Sequence, residues 1–245
     1  MDHRLCAAKW GAIFLIAAGW AVPLTAQQAH YDERWTEINQ YSPVETFQSR
    51  GSLGWHLGAG VIQRARSDAD QKSTVDSQTS TVPQRIPRFY LSKGTPWPLD
   101  FGLSLAQVGE GDMAWQYGGH VQWTLFESFK LPTLALRASR IETAGLQSVT
   151  RLRTDSVQLG SSFAVLRYIT LSAAYGLQWQ SWESYNAQAG LALDDRPSEE
   201  VYEKAFFFSW GLKAQLFSPF VSIGYEQTQV SEKQRLDHLQ LAILL

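Results

Sequence analysis

The sequence predicts an all-β fold, an up-and-down antiparallel β-barrel in which about ten strands cross a membrane. Three observations predict it. Large apolar residues alternate with small polar ones over long stretches, the connections between these stretches alternate between short and long, and aromatic residues gather near both ends of the stretches. Because strand boundaries read from sequence are soft, about eight and about twelve strands stay open as alternatives.

Four stretches show the alternation most clearly. In Trp115–Leu125 one row is mostly aromatic and aliphatic, and the opposite row consists of Gln, Gly, His and Thr. Leu99–Leu105, Ile169–Trp179 and Phe206–Leu216 show the same pattern. Runs of about 11 residues have the length that a tilted strand needs to cross a bilayer, and strands of soluble domains are about half as long. The large apolar row is therefore predicted to face lipid, and the small polar row the barrel interior.

Weaker alternation predicts the remaining strands, at about 52–63, 86–93, 132–142, 153–166, 219–228 and 235–245. The connections fall into two classes. The short ones are 93–98, 127–131, 166–168 and 217–219, and the longest ones are the polar segments 65–85 and 181–204. Short turns on one side and longer loops on the other are typical of outer-membrane barrels, and an even strand number places both termini on the short-turn, periplasmic side.

The aromatic residues support the same arrangement. One group lies near the short turns and another near the long loops: Trp97, Phe129, Tyr168, Phe217 and Phe220 in the first, and Trp115, Tyr117, Trp179 and Trp182 in the second. Aromatic rings favour the headgroup region of a bilayer because one edge stays wet while the body of the ring is buried. The two groups therefore predict the two membrane interfaces.

The C-terminal strand resembles that of small Gram-negative outer-membrane β-barrel proteins. Leu239, Leu241, Ile243 and Leu245 form an alternating apolar row that ends at the last residue. In that class such a strand is recognised for assembly and usually ends in Phe or Trp, whereas this chain ends in Leu. The resemblance is architectural, covers about residues 51–245 and points to no specific family. It implies location in the cell outer membrane, contact with outer-membrane lipid and lipopolysaccharide, and the barrel-assembly machinery as a partner during biogenesis.

The N-terminal residues 1–26 are predicted to be a signal peptide. Arg4 and Lys9 form its basic region, Trp10–Leu24 is an apolar stretch short for a membrane-spanning helix, and cleavage is expected after Ala26. An uncleaved N-terminal anchor is the alternative. Cleavage removes Cys6, the one cysteine of the chain, so no disulfide is expected.

Residues 27–50 are predicted to be a periplasmic N-terminal segment, followed by the barrel at 51–245. Tyr31, Trp35 and Ile38 share one helical face. A short helix over residues 30–41 would lie on the periplasmic membrane surface or cover the lower mouth of the barrel. A disordered leader is the alternative reading of the same residues.

Ionisable residues on the predicted inward rows form a candidate polar network in the lumen. They are His56, Arg88, Asp100, His120, Arg137, Lys213 and Glu226, with His238 as a further inward histidine. One interpretation is a substrate or ion path, and the other is a set of paired charges that fills a narrow interior. The inward histidines lie on different strands and lack the spacing of two that brings ligands together on one strand face. The sequence therefore predicts no metal site and no cofactor.

The composition and motifs favour a non-enzymatic outer-membrane barrel, either structural or a narrow pore, with surface-exposed loops. The net charge of −2 gives no basic surface for nucleic acid, and a monomer is expected. An outer-membrane enzyme, protease-like or lipase-like with a site at the extracellular rim, and a loop-mediated binding or adhesion protein are the alternatives. No catalytic residue is predicted, because the loop acids lack nearby histidines and no GxSxG motif occurs; those acids are Asp68, Asp70, Asp194, Asp195 and Glu199.

Overall fold

The computed structural model describes residues 39–40, 44–51, 54–64, 84–108, 114–128, 130–146, 150–184, 200–216, 220–230 and 235–245. These residues form ten strands: β1 (Trp55–Arg64), β2 (Arg85–Gly94), β3 (Leu99–Val108), β4 (Ala114–Phe126), β5 (Thr133–Leu146), β6 (Thr150–Leu166), β7 (Ile169–Ser184), β8 (Glu200–Leu216), β9 (Val221–Gln229) and β10 (Arg235–Leu244). The predicted all-β fold and strand number are confirmed. In this described part, no helix is long and apolar enough to cross a membrane.

The strands pair in chain order, and β1 closes the barrel by pairing with both β2 and β10. Ile62 on β1 lies opposite Ile86 on β2 and His238 on β10, and every pairing is antiparallel. Closure leaves no strand edge with unpaired backbone groups. A sheet can stand in the hydrocarbon of a bilayer only under that condition, and the up-and-down barrel predicted from the alternation is therefore present.

The two faces of the barrel wall are chemically opposite. The outward rows carry large apolar side chains that are exposed, such as Leu103 at 63% and Phe206 at 61%. The inward rows carry buried polar and charged side chains, among them Gln116 and Arg137. A soluble barrel would bury its apolar row, and an apolar surface of this extent requires a partner phase. The polar interior and the apolar outer band together are those of a barrel that stands in lipid.

Four neighbouring strands are longer than the rest. Strands β5 to β8 have 14 to 17 residues, whereas β1, β2, β3, β9 and β10 have 9 or 10. Strand β7 continues to Ser184 and β8 begins at Glu200, beyond the 179 and 206 expected from the alternation. The added residues lie at the end with the longer connections. They lie outside the runs in which large apolar and small polar residues alternate, and the alternation therefore did not predict them.

Candidate functional site inside the barrel

Two short stretches before β1 lie inside the barrel. Residues 39–40 and 44–51 form what we call the lumen plug. Its first residues contact the wall near the end with the longer connections, and its last, Arg50 and Gly51, lie beside β3 and β2 at the short-turn end. Sequence analysis put residues 27–50 on the periplasmic side of the barrel; the described ones, 39–40 and 44–50, lie in its interior, and the others lie outside the described residues. Residues 39–40 are not helical, and the rest of the helix considered for 30–41 lies outside the described residues.

We call the end of the barrel with the longer connections the upper end and the short-turn end the lower end. Asn39 anchors the upper end of the plug to three strands. Its amide nitrogen donates to Thr154 Oγ1 at 2.7 Å. Its amide oxygen accepts from Gln116 Nε2 at 2.9 Å and from Thr143 Oγ1 at 2.7 Å. Asn39 has no exposed surface. Because a buried amide is stable only where its donors and acceptors are paired, this set of partners specifies one position for the residue.

Gln40 extends the same network around the wall. Its side-chain nitrogen donates to Gln178 Oε1 at 3.0 Å, and its backbone oxygen accepts from Arg88 Nη1 at 2.7 Å. The Arg88 guanidinium also donates to Gln116. A charged donor on a backbone carbonyl is stronger than a neutral hydrogen bond, and the upper plug is therefore held on both sides of the lumen.

Glu45 is the centre of the lower plug. Its Oε1 atom accepts from Ser92 Oγ at 2.7 Å and lies 3.4 Å from His56 Nδ1. Its Oε2 atom lies 2.7 Å from Arg50 Nη2 and 3.5 Å from His120 Nε2. The side chain is only 2% exposed. The wall therefore supplies one hydroxyl and two imidazoles to this carboxylate, and the plug supplies the guanidinium.

The charge of Glu45 is stabilised inside the lumen. A carboxylate removed from water is costly unless charged or hydrogen-bonding groups surround it. Burial by itself raises the pKa of Glu45, but the guanidinium of Arg50 and the two histidines outweigh burial and hold this pKa well below its usual value. The side chain is therefore ionised at neutral pH, so its hydrogen bond from Ser92 and its ion pair with Arg50 are charge-assisted.

The wall also meets the plug backbone. The backbone nitrogen of Arg50 donates to Asp100, at 3.4 Å from Oδ1 and 3.2 Å from Oδ2. Arg137 Nη2 donates to the Glu45 carbonyl oxygen at 3.4 Å. Gln122 Oε1 accepts from Arg137 Nε at 3.1 Å and from its Nη2 at 2.6 Å. The bonds from Asp100 and Arg137 satisfy backbone groups of the plug that have no strand partner, and Gln122 holds the Arg137 guanidinium in place.

Phe47 is the main apolar anchor of the plug. Its ring is 3% exposed, packs with Ala135 and Ala174, and fills the space that Gly160 leaves on β6. A Cβ atom at Gly160 would overlap the ring. The Arg137 guanidinium lies 4.5 Å from the ring centroid, within the range of a cation–π contact. The inward glycine is therefore a notch that accepts a side chain of the plug.

Val44 makes a second contact of this kind. Its Cγ1 atom lies 2.5 Å from where a Cβ of Gly224 would stand. Val44 also has a φ of 45°, which a β-branched residue rarely adopts. Conformations of this kind cost on the order of 1–3 kcal/mol and persist only where packing imposes them. Below it, Gly51 has a φ of 67°, and here glycine lets the chain turn from the plug towards β1.

A small cavity lies beside Gln40 in the described part of the lumen. A cavity of about 10 Å³ lies between the plug and the wall, lined in part by Gln40, Gln178, Phe207 and Glu226. This volume is at the lower limit for one water molecule. Here the described plug residues lie close to the wall, as expected for a barrel of ten strands, whose interior is narrow.

The structure locates the seven ionisable residues that sequence analysis assigned to the lumen. All lie on inward rows; Lys213 is partly exposed and the others are buried: His56, Arg88, Asp100, His120, Arg137 and Glu226. Four of these contact the lower plug and Arg88 contacts the upper plug, while Lys213 interacts electrostatically with Glu45 and Arg50. A role for this set in transport stays a prediction. Within the described residues, no three His, Cys, Asp or Glu side chains are placed to hold a metal ion.

Sequence analysis did not identify Glu45 or Phe47 as lumen residues. Residues 44–51 show neither period of two nor helical period, so nothing local marks them as buried. Two indirect signals were present. The predicted inward rows carried more cations than acids, which calls for an acid from elsewhere, and they carried many glycines, which leaves space for an insert. Both signals concern the wall and not the segment that completes it.

The structure matches solved β-barrels at low sequence identity. The N-terminal β-barrel domain of Pseudomonas aeruginosa OprF is 12% identical with a TM-score of 0.36, covering 79% of this chain and 98% of that one. The NanC porin is 10% identical with a TM-score of 0.40, covering 77% and 100%. OmpT, an outer membrane protein of Vibrio cholerae, is 8% identical with a TM-score of 0.34, covering 79% and 77%. Likenesses this weak carry nothing about what this chain binds.

No protein-family model matches the sequence, and no curated protein matches it significantly. The architecture itself is that of an outer-membrane β-barrel: a closed antiparallel ring, an exposed apolar outer band, a polar interior, and short turns at the end where both termini of the barrel lie.

Proposed function

We propose that this chain is a non-enzymatic outer-membrane barrel whose lumen is held closed by the lumen plug. A narrow pore opens when the plug leaves the lumen. The observation that carries the proposal is the reach of the plug. Its contacts include side chains on β1 to β7, among them His56, Asp100 and Gln178, and the glycine notch at Gly224 on β9. A segment bonded around the wall in this way obstructs the passage of solutes.

Release of the plug is compatible with an intact barrel. The wall completes its own backbone hydrogen bonds through the ten antiparallel pairings, including the closing pair of β1 and β10. The plug adds side-chain contacts to this ring and replaces none of its ladder bonds. The unfavourable backbone conformation at Val44 is relieved when the segment leaves. Opening therefore breaks the contacts between the plug and the wall and leaves the hydrogen bonds between the strands intact.

The first test compares the same substitution inside and outside the barrel. Phe47→Ala removes the anchor in the Gly160 notch, and Phe163→Ala removes an aromatic ring from the lipid-facing row of the same strand. In planar bilayers, we expect the refolded mature chain to be mostly closed, Phe47→Ala to open often, and Phe163→Ala to behave as the unaltered chain. Equal conductance of all three chains would refute the plug.

A reversible lock tests whether movement of the plug is the opening step. The Cβ of Val44 lies 3.6 Å from the Cβ position of Gly224, a separation suited to a disulfide. In the Phe47→Ala background, Val44→Cys with Gly224→Cys should close the barrel under oxidising conditions and reopen it on addition of reductant. Either cysteine alone is the control. If the conductance of the double-cysteine variant were the same under oxidising and reducing conditions, the pore would not lie where the plug is.

We further infer that residues 1–26 are removed on export and that the barrel contacts lipopolysaccharide and outer-membrane lipid. The short apolar stretch and the small-residue site at Ala26 support cleavage. Mass spectrometry of the outer-membrane fraction should find an N-terminus within a few residues of Gln27. An intact Met1 in that fraction would favour an N-terminal anchor instead.

A further inference from the structure

The described inward rows carry an excess of positive charge. Among the inward residues whose burial the structure describes, the cations are Arg64, Arg88, Arg137 and Lys213, the acids are Asp100 and Glu226, and three histidines lie among them, His56, His120 and His238. A low-dielectric wall lined mostly by one sign of charge attracts ions of the opposite sign into the lumen. The charges of the wall residues by themselves therefore favour the binding of anions in the lumen.

The plug meets this wall mainly through acceptor atoms. Arg88 donates to the carbonyl of Gln40 and Arg137 to the carbonyl of Glu45. Ser92 donates to the Glu45 carboxylate, and His56 and His120 approach its two oxygens from the wall. In the described part of the plug, Glu45 is the single acidic residue. The one carboxylate of the plug thus stands where the wall concentrates its donors.

We propose that these wall residues form a carboxylate-binding site, which Glu45 occupies while the barrel is closed and a small carboxylate-bearing solute occupies when the plug leaves. The proposal rests on the plug function proposed above. Each oxygen of the carboxylate has its own wall partners: Ser92 and His56 for one, His120 for the other. Separate partners for two oxygens suit a flat carboxylate.

Departure of the plug opens the wall residues of the site to an external anion. Arg50, which makes the shortest ion pair with Glu45, belongs to the plug and leaves with it. The wall then loses its acid and the plug-borne cation together, and Arg137 loses an acceptor. Buried cationic groups that lose an acceptor are costly until another anion arrives. A solute carboxylate therefore competes with Glu45 for the same groups.

The test uses the full mature chain with Gly160→Val, whose added side chain would overlap the Phe47 ring. We expect this overlap to expel the plug while the residues of the carboxylate site stay unchanged. Ser161→Val, the outward neighbour on the same strand, is the matched control. Citrate is the probe and inorganic phosphate the comparison. We expect the Gly160→Val pore to prefer chloride over potassium by about threefold or more, and citrate to block it at lower concentration than phosphate.

Two further variants assign the block to the site. Added to Gly160→Val, Ser92→Ala and His120→Gln should each weaken the citrate block about tenfold, as expected for loss of a partner of a buried anion. Lys93→Gln, which lies next to Ser92 over the outward-facing Trp55 ring, should leave the block unchanged. A pore that prefers potassium, or a block that neither site variant alters, would overturn the proposal.

Calorimetric binding of citrate to the refolded proteins separates the two proposals. Tighter binding to Gly160→Val than to the unaltered chain, with no current through either, would retain the site and refute opening by plug release. Current through Gly160→Val without citrate binding would refute the site and retain the plug. If Gly160→Val does not fold, Phe47→Ala takes its place in both measurements.

Discussion

The two faces of strand β6 show how differently the barrel uses neighbouring residues. Leu159 points outward and is 53% exposed, and Gly160, the next residue, holds the ring of Phe47 in the lumen. On the outer face, any large apolar side chain serves, because fluid lipid adapts to its shape. On the inner face the plug needs a notch at one position and a hydroxyl, imidazole or amide at others. The outer face is therefore specified by composition and the inner face by individual contacts.

The largest effect is expected from charge on the outer face. Leu171 and Leu212 are paired across β7 and β8 and are 45% and 40% exposed. An arginine facing lipid near the middle of a barrel costs roughly 2–4 kcal/mol. Leu171→Arg and Leu212→Arg should therefore each lower the free energy of unfolding from bilayers by about that amount. Ser172→Asn on the inward row is the control and should be milder. Equal losses on both rows would break the distinction between the faces.

The next effect concerns the apolar anchor of the plug. Burial of a phenylalanine side chain stabilises by about 1.5–3 kcal/mol, so Phe47→Ala should weaken plug docking by that amount. Phe163→Ala removes the same atoms from the lipid face, where acyl chains fill the space, and should cost less. Urea unfolding of both variants in lipid vesicles measures the difference. A larger loss for Phe163→Ala would show that Phe47 is not an anchor.

Acid should loosen the plug. Because Arg50 and the two histidines keep the pKa of Glu45 below its unfolded value, against the effect of burial, its contribution is complete above the unfolded pKa and is lost as pH falls through the lowered one. Asp100 and Lys213 also face this part of the lumen. Channel opening in bilayers should therefore rise at strongly acidic pH. Glu45→Gln should open more at neutral pH and lose most of this dependence, and an unchanged pH profile in that variant would exclude Glu45 as the cause.

The smallest effect is expected from an outward ion pair near the long connections. Arg140 Nε lies 2.6 Å from Asp155 Oδ1, and the Arg140 side chain is 58% exposed. Exposed pairs of this kind contribute about 0–1 kcal/mol. Arg140→Gln should therefore change the unfolding free energy by less than the other substitutions and leave conductance unaltered. An altered conductance would show that the outer wall is coupled to the plug.

Much of the fold could be predicted from the sequence because it repeats one local rule. The alternation in Trp115–Leu125 predicted β4, and similar runs predicted the other strands, their number and their antiparallel order. The upper ends of β7 and β8 were underestimated, since residues beyond the bilayer follow no lipid-facing pattern. The inward placement of His56 and Arg137 could be predicted for the same reason as the strands themselves, because position along a strand decides the face.

What the sequence determined by itself was the wall: a period of two, repeated over strands long enough to cross a bilayer, specifies a lipid face, a lumen face and a closed ring. What only the tertiary structure decided was how the lumen is filled. Glu45 and Phe47 reach the wall by contacts with residues far away in the chain, such as His120 and Gly160. No local period encodes such contacts, because they depend on which side chains the closed barrel brings together around one axis. The position of the plug therefore depends on how its side chains fit the folded lumen. The barrel depends only on the fact that one face of each strand meets lipid and the other meets the lumen.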